Sequence, residues 1–247
     1  YADEPVAFEK GDRKGIIGVL MQQMMAKTFE APKSAWPKLL GTTLGSLQKK
    51  HLLLYFKDAK AQKAIEGINF AGRVYEYDGD YININESNFG GAKSNLYIQQ
   101  KVKQVVQKGK DNEINKKVTI EYKYPREMDN CSLERKGGLC LAGIYRDWIR
   151  IYVPKGSKLI KATGTEEAFV QTEDLGKTVF QGFFTVRPTG TAKIEVEYTV
   201  PLKIDGQYKL LIQKQPGNPG HSYEIEAFGK KQKSFPLDSD KELIIKI

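Results

Sequence analysis

Oxygen-bearing side chains crowd into the stretch YDGDYININES, where Asp78, Asp80, Asn83, Asn85 and Glu86 follow one another closely enough to suggest a calcium site. The spacing does not follow the D-x-[DN]-x-[DN]-G loop closed by a glutamate. Asn83 and Asn85 alternate with Ile82 and Ile84, so the expectation is the solvent face of a strand and no metal. Hydrolytic chemistry has no better footing. His51 and His221 are the two histidines of the chain, far apart in sequence, and neither G-x-S-x-G nor H-E-x-x-H occurs. His51 closes an apolar helical stripe and reads as the edge of a core. No Walker or Rossmann glycine motif is present. No catalytic residue and no cofactor is therefore expected.

Anion binding is the other chemistry that residue types suggest. Arg13 and Lys14 stand at the start of a helix, where free backbone N–H groups favour phosphate, although Asp12 beside them offsets the charge. Between residues 93 and 123 eight lysines face three acids, a local net charge of +5. Folded as two strands around GKDNEIN, Lys101, Lys103, Lys116 and Lys117 would belong to a basic ribbon for an acidic polymer. The competing reading is that lysines protect an exposed sheet edge. Few aromatics are interleaved for base stacking, so nucleic acid is not the expected partner. Tyr145, Trp148, Tyr152, Phe180, Phe183 and Phe184 suit a carbohydrate platform, but aromatics in strands more often fill a core, and core is the expectation.

These residues must be positioned by a chain of 247 residues with 40% hydrophobic content, enough for an ordinary core. Its net charge of +9 is spread: residues 1–70 contribute +4 and residues 71–247 contribute +5. No apolar run is long enough to cross a membrane, and the start YADEPVAFEK lacks the pattern of a signal peptide. Any membrane attachment is expected from an anchor upstream.

Apolar residues first recur at helical spacing. Ile16, Leu20 and Met24 follow a candidate cap at Asp12, Leu40, Leu44 and Leu47 follow Ser34 and Pro37, and Asp58 caps AKAQKAIE before Gly67. From Arg73 onward the period falls to two, in Ile82 and Ile84, in Val118, Ile120, Tyr122 and Tyr124, and in later strands separated by Pro- and Gly-rich turns. The expected fold class is α+β. Residues 1–95 read as a helical part with a few strands, the end of a larger α/β domain. Residues 96–247 read as an immunoglobulin-like β-sandwich, with the boundary in NFGGAKSN. Cys131 and Cys140, with Gly137-Gly138 between them, are placed where a disulfide is sterically reasonable, a reduced pair being the alternative.

DRKGIIGVL, HLLLYFKD, GDYININESNFGGAKSNLYI, IRIYVPKGSKLI, GKTVFQGFFTV and LLIQKQPGNPG occur in an order that resembles the bacterial family catalogued as domain of unknown function 4012. The resemblance implies the C-terminal part of an exported, membrane-anchored surface protein, with a membrane helix and a further α/β segment upstream. Export in turn favours the Cys131–Cys140 disulfide. Asp12-Arg13-Lys14 also resembles, more distantly, a helix start in the LytR-CpsA-Psr cell-wall polymer ligases, which would make Arg13 the remnant of a phosphate site. The expected function is a non-enzymatic extracellular module of the bacterial envelope that supports surface attachment or presentation, with an anionic polymer, another envelope protein or the upstream segment as partner. The alternatives are the accessory part of a polymer transferase, or a binder of anionic polymer or DNA.

Overall fold

The computed structural model describes residues 14–109, 113–132, 139–203, 206–231 and 234–247. The chain forms two compact units, Tyr1–Leu47 and Gln48–Ile247.

In the first unit, helix α1 (Gly15–Phe29) and helix α2 (Trp36–Gln48) are joined through a 3-10 turn at Lys33–Ala35. Pro37 lies in the first turn of α2, where the N–H it lacks would have no helical partner. The expected cap Asp12 lies outside the described residues. Ile16, Leu20 and Met24 are helical as expected, yet no residue of α1 is buried, and these three keep 47%, 55% and 61% of their surface exposed.

The second unit opens with helix α3 (Ala59–Gly67), capped by Asp58 Oδ1, which accepts the Ala61 N–H at 2.9 Å. The strands follow in chain order: β1 (Asp80–Asn88), β2 (Gln99–Lys108), β3 (Ile114–Lys123), β4 (Tyr145–Pro154), β5 (Lys158–Thr163), β6 (Val170–Asp174), β7 (Lys177–Val186), β8 (Thr191–Val200), β9 (Gln207–Gln213), β10 (Ser222–Ala227), β11 (Lys230–Lys231), β12 (Phe235–Pro236) and β13 (Lys241–Lys246). One sheet has the order β13-β9-β1-β4-β7-β6 and the other β11-β10-β2-β3-β8-β5, with β12 paired to β10. Inward-facing Ile84, Ile151 and Phe180 of the first sheet share one core with Val118, Ile120, Ile194 and Val196 of the second. Each such side chain contributes roughly 1.5–3 kcal/mol by leaving water.

The α+β class is as expected, with two packed sheets, but each sheet is mixed. β1 runs parallel to β9, and β2 runs parallel to β10, a departure from the antiparallel pairing expected of an immunoglobulin-like sandwich. The boundary expected at residue 95 is also displaced. β1, which precedes it, lies between β9 and β4, so residues 96–247 lack an interior strand of their own first sheet. Periodicity could not reveal this, because the partners that make β1 interior are 59 or more residues away in sequence.

Part of the outer face of the first sheet is covered by its own chain. Val74, Tyr75 and Tyr77 lie over Tyr81, Tyr152, Val179 and Leu211. Gln213 fixes this strap, accepting the Tyr75 N–H at 3.2 Å and donating to the Arg73 carbonyl at 2.8 Å. Asn83, expected in solvent, is buried here and donates to the Gln213 carbonyl at 2.9 Å.

Candidate functional site

Beyond the strap, the outer face of the first sheet carries an aromatic and arginine cluster. On β4 the alternation sends Tyr145, Asp147, Ile149 and Ile151 inward and Arg146, Trp148, Arg150 and Tyr152 outward. On β7, Phe180 and Phe184 face the core while Phe183 stands opposite Trp148 in register. Trp148 and Phe183 stack at 6.2 Å between centroids, and Phe89 meets them edge-on at 6.4 and 5.6 Å. Phe89 keeps 61% of its surface exposed. The turn that presents it is fixed by sequence. Its N–H donates to the Arg146 carbonyl at 2.7 Å, Asn88 Oδ1 accepts the Gly90 N–H at 2.8 Å, and a Cβ at Gly90 would stand 2.1 Å from the Ile144 carbonyl oxygen.

Two ion pairs frame the cluster. Arg146 lies 5.0 Å from the Phe183 ring and pairs with Glu166 at 2.8 Å, while Thr185 Oγ1 donates to Glu166 at 2.6 Å. Arg150 sits between the rings of Trp148 and Tyr152, at 5.0 and 4.9 Å, and donates to Asp174 at 2.6 Å, as does the Tyr152 hydroxyl at 2.9 Å. The hydrogen bond from Arg146 holds the Glu166 carboxyl below its ordinary pKa, and that from Arg150 does the same for Asp174. Charge is balanced, and Arg150 Nε is buried with no hydrogen-bond partner. The expectation that all six strand aromatics are core holds for Tyr145, Tyr152, Phe180 and Phe184 and fails for Trp148 and Phe183, which are only part-buried. Phe89 was not legible as part of a site, but the spacing of two in R-x-W-x-R-x-Y marks the outer face of β4. Tyr145 is three residues from Trp148, so the two cannot share a face of one strand.

The lysine ribbon is not a free basic surface. Lys101 and Lys103 approach Glu224 at 3.9 Å each, Lys103 also pairs with Glu226 at 3.2 Å, and Lys117 pairs with Glu195 and Glu197 at 3.4 and 3.0 Å. The neutralising acids come from β10 and β8, strands distant in sequence that flank β2 and β3. Lys116 points the other way. It is buried against Asp80 of the opposite sheet at 2.6 Å, and Tyr208 donates a short hydrogen bond to the same oxygen. Desolvation lowers the Lys116 pKa against the raising effect of Asp80. Arg13 lies outside the described residues, and Lys14 is exposed. Cys131 and Cys140 form a disulfide.

The acidic stretch is split between faces as well. Asp80 and Glu86 point inward with Ile82 and Ile84, and among the described residues no three His, Cys, Asp or Glu side chains are grouped to hold a metal. Glu86 Oε1 accepts from Gln100 Nε2 at 2.7 Å and from the Tyr122 hydroxyl. Desolvation, with the nearby Asp147 charge second, pushes Glu86 up to about 8. Asp147 is fully buried beside the Tyr145 hydroxyl and the Ser87 N–H, neither of its oxygens in a well-formed hydrogen bond, and desolvation raises its pKa too. Glu86 and Tyr145 line a cleft of about 410 Å³ closed on one side by the Gln215–Pro219 loop. Burial lowers His221, on the same wall, to about 4, so it is neutral at physiological pH.

No family model and no curated protein matches the chain. Among solved structures, it is similar to a candidate nutrient binding protein of Legionella pneumophila, at 8% identity and TM-score 0.41 over 67% of this chain and 70% of that one. It is also similar to an M1 zinc metallopeptidase of Deinococcus radiodurans, at 10% identity and TM-score 0.28, spanning 60% of this chain and 38% of that one. Likeness of this degree carries no function. No helix among the described residues is long and apolar enough to cross a membrane.

Proposed function

We propose that the chain is a non-enzymatic extracellular module of a bacterial envelope protein, and that it supports surface attachment by holding a neutral glycan on the outer face of its first sheet. The observation that carries the reading is the outward cluster of Phe89, Trp148 and Phe183 framed by Arg146–Glu166 and Arg150–Asp174. Flat aromatic rings offer apolar area to the C–H face of a sugar, and charge-balanced forks offer both donors and acceptors to its hydroxyls. The disulfide supports an oxidising, exported location, as does the resemblance to the bacterial surface family. Within this reading the sandwich is immunoglobulin-like in its packing, a rigid scaffold for one binding face. The exposed apolar surface of α1 supports a further part of the reading, in which the helices of the first unit pack on a sheet supplied by an upstream segment.

A fluorescence titration with a soluble N-acetylglucosamine oligomer tests it. The chain has two tryptophans, so a Trp36→Phe background isolates Trp148. Binding should shift the emission of Trp148, and Trp148→Ala, followed by calorimetry because it removes the fluorophore, should weaken binding by about thirtyfold, the loss expected of an aromatic anchor worth roughly 2 kcal/mol. Binding that survives Trp148→Ala and Phe183→Ala, or that disappears instead when Lys101, Lys103 and Lys117 are neutralised, would overturn the proposal.

A further inference from the structure

We propose that the cleft between Glu86 and the Gln215–Pro219 loop is a second binding site, for a small organic cation carrying a primary ammonium. The cleft lies in the sandwich, away from the aromatic face, and the inference does not rest on the glycan reading. At about 410 Å³ it has the size of small-ligand pockets. Leu96, Ile98 and Pro216 give it apolar walls, while the Glu86 carboxyl, the Tyr145 hydroxyl and the Asn95 carboxamide supply acceptors for the three N–H donors of an ammonium.

The charge of the cleft is incomplete without such a ligand. In a chain with 39 basic side chains, no lysine or arginine lines it. Among the described residues the side-chain donors to Glu86, Gln100 Nε2 and the Tyr122 hydroxyl, both reach Oε1, and none reaches Oε2. Asp147, buried behind Tyr145, adds a second carboxyl with no cation beside it. His221 does not fill the deficit, because its lowered pKa keeps it neutral, and its Nε2 is buried without a partner. Buried carboxylates lacking a counter-charge take up a proton instead. An ammonium would replace that proton, so binding should release one.

The groups that face Glu86 are Gln100 of β2, Tyr122 of β3, Tyr145 and Asp147 of β4, and Tyr223 of β10; all but Asp147 are neutral near pH 7, and Asp147 is itself raised toward protonation. The pH dependence of binding therefore belongs to the two carboxyls.

Calorimetric titration of the full chain with butylammonium at pH 6, 7 and 8 reads this out. Affinity should rise by close to tenfold per pH unit below about 8, with one proton released to the buffer. Glu86→Gln should weaken binding at pH 8 by tenfold or more and flatten its pH dependence. Leu96→Arg, at a rim position with 71% of its surface exposed, should fold normally and exclude the probe by placing a cation at the mouth, which keeps the test open if Glu86→Gln fails to fold. Asp147→Asn should move the pH midpoint down, since its charge is one cause of the raised Glu86 value. Butanol binding as tightly as butylammonium, calcium displacing it, unchanged binding in a folded Glu86→Gln or Leu96→Arg variant, or no binding at pH 8 would each overturn the proposal. Trp148→Ala should leave butylammonium binding unchanged, which separates this site from the glycan face.

Discussion

The two outer faces of the sandwich use the same alternation for different ends. On the second sheet, neighbouring strands place Glu224 beside Lys103, and Glu197 beside Lys117, so the surface is a lattice of ion pairs with its charge satisfied internally. On the first sheet, the positions equivalent in pattern hold Trp148, Phe183 and the two arginines, and Phe89 is swung over them by a glycine turn. Exposed pairs contribute little and demand little of their neighbours. An exposed aromatic patch is hydrated at a cost in the free protein and is retained where it meets something.

The contrast is sharpest within the lysine ribbon, where Lys116 and Lys117 are adjacent and face opposite ways. Lys116→Met should cost about 3–5 kcal/mol, because it strands the buried Asp80 carboxylate, whereas Lys117→Ala should change stability by less than about 0.5 kcal/mol. Urea unfolding decides it, and equal effects would show that the buried pair is hydrated or open.

A smaller effect is expected at Cys131 and Cys140. Replacing both by serine should cost about 2–3 kcal/mol for a short closed loop and leave the sandwich folded, as measured by thermal melting with and without the bond.

The interior carboxyls give the sandwich a pH dependence that neither outer face should share. The Glu86 pKa is raised on folding, so the native state holds more protons than the unfolded chain between the ordinary carboxylate range and about 8. Its contribution is present at low pH and is lost as pH rises through about 8. Stability should therefore decline between pH 5 and 8, by at most on the order of 1 kcal/mol per pH unit, and Glu86→Gln should remove much of the slope. Stability that instead rises steadily over that interval would show that the carboxyls are ionised and paired.

The smallest effects belong to the lattice. Neutralising Lys101, Lys103 and Lys117 together should shift stability by under about 1 kcal/mol and make it less sensitive to salt. A larger loss would mean that the ladder, and not only the core, holds the second sheet in register.

Local pattern was sufficient wherever the determining contacts are themselves local. Asp58 and Gly67 bound α3 as their chemistry requires, Pro37 sits in the first turn of α2, and the alternation of Val118, Ile120, Tyr122 and Tyr124 gave the inward face of β3 and its extension. The spacing of Arg146, Trp148 and Arg150 also determined that they share a face. What sequence could not determine is which face meets water, since that depends on strands far along the chain. Asn83 is buried because the Arg73–Tyr77 strap covers its side of the sheet, and Lys116 is interior because Asp80 waits across the core. Glutamates of β8 and β10 cancel lysines of β2 and β3 only once parallel and antiparallel pairing has brought them together. Alternation is a property of one strand, while burial and charge balance are properties of neighbours, and only the tertiary structure chooses the neighbours.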